Sequence, residues 1–315
     1  MDHKFIRHVN IGDQFEGLYF LEAVAERTAK NNNKYTDLTI RDRSGSAVVR
    51  FWGEVDGVKK NEFVYIKAKV EEFGGKPQVV AETVGAFEGK PDDMTNYISV
   101  SSSLARDIEQ FGKIQAKVKE LGAEIKTTAC DDILTAVFTP EETVLFNAAP
   151  YGTLPHYGRS GGLLAHTVKT TVMAFDMAKH YGLNNMEKTI VLTSGLLHAV
   201  GGVEAYANEN LSPKETTTGV LLGRVFLTLS KIETALQRIS KADPLREKIA
   251  LRIRHAVSCC GYSTVRPSTK ESLVLFEAYR SDYSIVEALD FIAADTSGEA
   301  FTAFNSDLKR RFFKG

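Results

Sequence analysis

The chain changes its hydrophobic period once, and that change limits its fold more than any other feature. Up to about residue 92, apolar side chains tend to alternate with polar ones, the period of a half-buried strand. From Ser101 onward they recur every three to four positions, the period of a helix face. One such change predicts a β part followed by an α part. The 315 residues are enough for about two domains at roughly 150 residues each.

In the β part, Gln14-Phe15-Glu16-Gly17-Leu18-Tyr19-Phe20-Leu21 opens a run that continues in partial alternation to Ala29. Asn31-Asn32-Asn33 then turns the chain, and Tyr35 to Ile40 alternates with period two. Arg43-Ser44-Gly45 separates that segment from Ala47 to Trp52. Phe63 to Val70 and Pro77 to Ala81 flank a turn at Phe73-Gly74-Gly75-Lys76. Five short strands punctuated by Gly and Asn predict a small closed β-barrel. In the α part, Ser101, Ser102 and Ser103 stand as N-caps before Leu104. Further helices are expected over 161–182, 186–200, 215–240, 244–258, 268–280 and 283–296.

At 43% hydrophobic and 25% charged, the chain can bury a core, which excludes the disordered and fibrous classes. With 39 Lys and Arg against 40 Asp and Glu, it is no generic polycation. No run of about 18 apolar residues predicts a membrane span, and charge breaks up the first eight residues as a signal peptide. Cys130, Cys259 and Cys260 form neither a disulfide framework nor a CxxC pair. The expectation is a soluble cytoplasmic protein with no membrane partner.

A small barrel can hold a single strand by stacking bases on aromatic rings and pairing phosphates with cations. The candidates are Tyr35, Arg41, Arg43, Arg50, Phe51, Trp52 and Lys67. Alternatively, Phe51, Trp52 and the tyrosines fill the barrel and the cations form a solvated face. Residues 1–90 hold 14 Lys and Arg against 14 Asp and Glu, so binding by this part is expected to be weak.

Three segments of the α part each place one polar side chain after a Leu-Leu pair or its neighbour: His166, His198 and Arg224. A lone histidine on an apolar helix is more often a satisfied core residue than a ligand. Two on different helices leave room for a pocket, but a catalytic divalent site needs three or more ligands. Arg224 either takes an anion there or pairs with an acid such as Glu204 or Glu215.

From barrel to tail the chain resembles the YhaM-type 3′→5′ exoribonucleases. The likeness runs through Ile11 to Gly17, Leu38 to Gly45, Phe146 to Pro150, His156, Gly162 to His166, Gly195 to His198, Leu221-Leu222-Gly223, Pro267 to Glu271 and Arg311 to Lys314. It implies an α+β chain: a five-stranded OB-fold barrel over residues 1–92, a linker over 93–100, and an all-α HD-type domain over 101–315. It also implies a metal-dependent phosphohydrolase site and a homo-oligomer.

The departures from the family pattern fall at that site. The family's paired histidines match His156 and Tyr157, and the next metal histidine matches His166. His198 is kept from the His-Asp signature, but Ala199 replaces the aspartate and Gly202 the lysine that follows. Arg224 stands for a histidine, and Cys259-Cys260 for a His-His pair. An ungapped match puts Tyr279 at the closing aspartate; a gapped one would use Asp295. Arg224 cannot deprotonate to bind metal. A zinc set of Cys259, Cys260, His166 and His198 is chemically conceivable but poorly spaced. The reading is therefore a non-catalytic, cofactor-free protein that binds single-stranded RNA, or less preferentially DNA, through its barrel. Its helical domain serves as a scaffold with a residual pocket at His156, His166, His198 and Arg224. The alternatives are an active 3′→5′ exoribonuclease with a rearranged metal site, and an interaction protein that acts on a partner enzyme.

Overall fold

The computed structural model describes residues 3–29, 32–89, 91–92, 96–97, 103–152, 157–209, 212–239, 243–261, 265–295 and 297–315. The chain divides into two compact units, Met1–Ser99 and Val100–Gly315.

The first unit is a closed barrel of β1 (Gln14–Thr28), β2 (Lys34–Asp42), β3 (Gly45–Phe51), β4 (Phe63–Phe73) and β5 (Lys76–Phe87). Around the barrel the order is β1-β2-β3-β5-β4, and β4 closes on β1. Only β3 and β5 pair in parallel, over Val49–Phe51 and Val79–Ala81. This is the Greek-key arrangement of an OB-type barrel. β1 serves two neighbours: its first half pairs with β4 and its second with β2. A register shift between Leu21 and Ala23 lets the strand bend from one to the other.

The expected alternation decides what lies inside. Tyr19, Leu21, Leu38, Ile40, Val49, Val64 and Ile66 are buried, and Gly74 and Gly75 take the left-handed conformation that a tight hairpin needs. Part of the stretch expected as a linker folds with this unit. The Tyr97 hydroxyl donates to the Leu18 carbonyl, and the Arg43 amide donates to the Asn96 carbonyl.

The second unit is built from α1 (Leu104–Glu124), α2 (Ala129–Val137), α3 (Pro140–Ala148), α4 (Gly162–His180), α5 (Asn185–Leu197) and α6 (Gly202–Ala205). A hairpin of β6 (Tyr206–Glu209) and β7 (Ser212–Glu215) follows, then α7 (Thr217–Leu222), α8 (Arg224–Arg238), α9 (Pro244–Ser258) and α10 (Lys270–Ala294). Of the expected caps, Ser103 precedes α1 without capping it by its side chain; Ser101 and Ser102 lie outside the described residues.

Three elements differ from the sequence expectation. The hairpin adds a little β structure to a part expected to be all α. The helix expected over 215–240 is split at Gly223, whose φ is 75°, leaving α7 and α8. The helices expected over 268–280 and 283–296 are one helix, because Arg280-Ser281-Asp282 continues α10 with Asp282 buried.

α4 begins as a core helix: Gly162 to Val168 are all buried. Gly162 lies against backbone, where a Cβ would come within 1.7 Å of the Tyr157 carbonyl oxygen. No side chain can be accommodated there without moving the segment that delivers Tyr157. Between α9 and α10, buried Glu271 accepts two hydrogen bonds from Arg252 at 2.5 and 3.0 Å.

Candidate functional site

On the barrel, β2 begins where β3 ends, and this register brings three of the seven candidates together. Thr36 pairs with Phe51, so Tyr35 and Trp52 become neighbours, with ring centroids 5.4 Å apart. The Arg50 guanidinium stacks 4.2 Å over the Tyr35 ring, and Trp52 is 52% exposed. Asp37 accepts from Arg50 Nε at 3.0 Å and meets Arg27 Nε at 3.1 Å. Two guanidinium groups thus share one carboxylate, leaving one positive charge in excess beside an exposed indole.

The other four candidates lie elsewhere. Phe51 packs against the barrel core, because its neighbours in β3 fix the alternation. Arg41 pairs with Glu22 at 2.7 Å, and the Arg43 guanidinium sits 4.4 Å over Phe5. Lys67 lies on β4, which borders neither β2 nor β3, and meets Glu82 of β5 at 3.7 Å.

In the helical unit, His166 on α4 and His198 at the C-cap of α5 meet edge to edge, Nε2 to Nε2 at 3.0 Å. His198 Nδ1 lies 2.6 Å from the Gly195 carbonyl, so it carries a hydrogen and donates. The His198 Nε2 is then the acceptor, and His166 supplies the hydrogen between the rings. His166 Nδ1 lies 2.8 Å from Asp282 Oδ2, and the Tyr157 hydroxyl donates to the same carboxylate at 3.0 and 3.1 Å. All four side chains are buried. Burial lowers the pKa of both histidines, and that of His198 falls well below the usual value. Burial likewise pushes the Tyr157 and Tyr151 hydroxyls well up.

Aromatic rings fill the space around this chain of bonds. Tyr151 stacks on His166 at 4.0 Å and 13°, and Tyr279, one turn before Asp282 on α10, meets both histidine rings edge-on. Arg224 opens α8; its Nη1 donates to the His198 carbonyl at 2.9 Å, and its guanidinium lies 5.2 Å from the Tyr151 ring. Neither proposed acidic partner takes it: Glu204 pairs with Lys231 at 2.9 Å, and Arg224 forms no ion pair among the described residues.

His166, His198, Arg224 and Tyr279 therefore do converge, and Ala199 is buried beside them without a polar atom to offer. His156 lies outside the described residues. The Cys259 thiol donates to the His255 carbonyl and the Cys260 thiol to the Ala256 carbonyl. Burial raises both pKa values, that of Cys260 to about 12, so neither is disposed to ligate as a thiolate. Asp295 is occupied with Lys314 and Ser297. The carboxylate that reaches His166 is Asp282, which the ungapped spacing missed by three residues. One helical turn separates it from Tyr279 on the same face, and that periodicity was the signal available.

Among the described residues, the donor set does not fit a divalent ion. The His166 and His198 Nε2 atoms are engaged with each other, Asp282 meets the far side of His166, and a fixed positive charge stands beside them. Among the described residues, no group of three or more His, Cys, Asp or Glu side chains is arranged to hold a metal. No helix among them is long and apolar enough to cross a membrane.

No protein-family model matches the chain. It is 20% identical over 229 residues to the 3′-5′ exoribonuclease YhaM of Oceanobacillus iheyensis, covering 70% of this chain and 68% of that protein. To the 3′-5′ exoribonuclease YhaM of Shouchella clausii it is 21% identical over 241 residues, covering 75% and 72%. These two similarities bear out the YhaM-type resemblance read from the sequence. Among solved structures, the second OB-fold domain of replication protein A from Methanococcus maripaludis is 18% identical and covers 29% of this chain and all of that one, with a TM-score of 0.24.

Proposed function

We propose that the chain is a non-catalytic, YhaM-like protein that binds single-stranded nucleic acid through its barrel, RNA in preference to DNA. In this reading residues 1–92 are the binding domain, 93–100 the linker, and 101–315 an HD-type scaffold that assembles the chain into a homo-oligomer. The observation that carries it is the exposed Trp52 beside the Tyr35–Arg50 stack. Rings at this spacing accept bases, and the guanidinium left in excess on Asp37 accepts a phosphate. The names of the two curated relatives support RNA as the ligand. The mismatch between the histidine pocket and a divalent ion supports the absence of hydrolysis.

Fluorescence anisotropy with labelled oligouridine and oligothymidine tests binding, and a gel assay with manganese or magnesium tests hydrolysis. The reading expects salt-sensitive binding, tighter for the RNA, with no shortened products. Affinity should climb with oligonucleotide length if several barrels share a strand. Metal-dependent shortening that disappears in His198→Ala would replace this reading with the active exoribonuclease. Failure to bind either oligonucleotide would favour the interaction-protein reading.

A further inference from the structure

We propose that Ser297–Gly315 is a second contact for single-stranded nucleic acid, a folded hairpin on the helical unit. It offers Lys309, Arg310 and Arg311 to phosphates and Phe301, Phe304 and Phe313 to bases. The proposal goes beyond the barrel reading and does not depend on Trp52.

The segment is folded although it contains no helix or named strand. The Thr302 amide donates to the Phe312 carbonyl at 2.9 Å, the Lys314 amide donates to the Ala300 carbonyl at 3.0 Å, and Asn305 and Arg310 exchange backbone bonds at 2.9 and 3.3 Å. These bonds set Phe301 opposite Phe313 and Asn305 opposite Arg310 in antiparallel bridges. The tip is also fixed: Asn305 Oδ1 accepts from the Asp307 and Leu308 amides at 3.0 and 2.7 Å. Lys309 then takes a left-handed φ of 53°. At the base, Asp295 accepts from the Ser297 and Ala303 amides and from Lys314 Nζ.

This scaffold sorts its side chains by face. Phe312 is half-buried, its ring 6.4 Å from that of Phe291 on α10. Phe301, Phe304 and Phe313 are 51%, 62% and 63% exposed, and the Phe301 and Phe313 rings stand 5.4 Å apart. Lys309, Arg310 and Arg311 are exposed and form no ion pair among the described residues. The barrel's Arg41, Arg50 and Lys67, by contrast, all face carboxylates. Arg310 Nε donates to the Leu308 carbonyl at 2.9 Å, which fixes its guanidinium. The segment holds four Lys and Arg against two Asp and Glu, a positive balance that residues 1–90 lack.

Uncompensated cations held beside exposed rings suit a polymer with regular phosphates and bases that stack. An anionic membrane would also attract the charge. A surface-seeking segment, however, ordinarily lays down the apolar face of a helix, and this segment has none.

The test uses the full chain, labelled oligouridine and a salt series. Each phosphate contact on a single strand contributes about 0.7 to the slope of log affinity against log salt, so three contacts contribute about two. Replacing Lys309, Arg310 and Arg311 together with Ala should lower the slope by about that amount and weaken binding at least about tenfold at low salt. Returning lysine at positions 310 and 311 should restore most of the slope. Phe313→Ala should weaken binding without changing the slope. Crosslinks from 4-thiouridine should map by mass spectrometry to peptides spanning 301–313. Circular dichroism melts should stay unchanged, separating lost contact from lost fold.

If the triple variant binds like the parent while Trp52→Ala does not, the hairpin proposal fails and the barrel reading stands. The reverse pattern keeps the hairpin and removes the barrel. A parent chain that binds no oligonucleotide, or variants that lose only adhesion to phosphatidylserine vesicles, would overturn the hairpin proposal.

Discussion

The barrel and the helical unit treat charge in opposite ways. On the barrel, Arg41–Glu22, Lys34–Glu54 and Lys67–Glu82 are paired at the surface over a largely apolar interior, apart from the buried His3–Asp42 pair. At the centre of the helical unit lie two imidazoles, a carboxylate and the Tyr157 hydroxyl, bonded in sequence and buried. Surface pairs contribute little each, and their losses are independent. A buried chain of bonds is sensitive at every member, because removing one strands its neighbours away from water. Side chains of similar composition thus tolerate substitution in one unit and resist it in the other.

The hardest test of this contrast is Asp282→Ala. It leaves the His166 and Tyr157 hydrogen-bonding groups buried without their partner, a loss of about 3–5 kcal/mol. Trp52 is the only tryptophan and lies in the barrel, so its fluorescence follows that unit while far-ultraviolet circular dichroism follows the helices. The helical transition should move to lower denaturant and the tryptophan transition should stay in place. Equal shifts in both would show that the two units unfold together and would break the comparison.

Next in size is Trp52→Ala, which should reduce oligonucleotide affinity by about 1–3 kcal/mol. It should change stability by less than about 0.5 kcal/mol, since the indole is half-exposed. A large fall in melting temperature would make Trp52 a structural residue.

Acid should separate the units further. Burial holds His198 neutral in the fold, where His166, Arg224 and Tyr279 face it, so its folded pKa lies below the unfolded value. The unfolded chain then binds more protons, and stability that is complete above about pH 6.5 is lost as pH falls. The loss approaches about 1.4 kcal/mol per pH unit for this histidine. Helical unfolding followed at pH 7.5, 6.5 and 5.5 should show it; stability that rises on acidification would contradict the assignment. The smallest effect belongs to Arg41→Ala. With Glu22 already holding that guanidinium, stability and oligonucleotide affinity should each change by less than about 1 kcal/mol. Arg50→Ala should cost more affinity, and equal losses would mean that the strand also crosses Arg41.

The barrel was legible because its strands alternate and its turns carry Gly and Asn. Tyr35, Phe51 and Trp52 stood out as aromatic candidates, but the meeting of Tyr35 with Trp52 and the direction of Phe51 depended on the register of β2 and β3. In the helical unit, His166, His198 and Arg224 stood out as polar residues in apolar runs. Asp282 did not, because it follows Arg280 and Ser281 and reads as part of a polar break between helices. Its burial comes from the face of α10 it occupies, which linear spacing from Glu271 does not register. The Ser297–Gly315 hairpin was visible only as a likeness to the family at Arg311 to Lys314. Its placement of cations and rings arises from backbone bonds between residues five to fourteen apart, and no local pattern encodes them.

Gly162 has a consequence for how this chain can drift. Its lack of a side chain is a packing demand made by the Tyr157 carbonyl, and it is indifferent to whether the neighbouring groups perform chemistry. In a saturation library selected only for folding, position 162 should admit almost nothing but glycine. Positions 199 and 259, whose side chains make no bond to the histidine chain, should accept several small residues. The glycine at 162 therefore reports on the architecture alone, whatever the groups around it do.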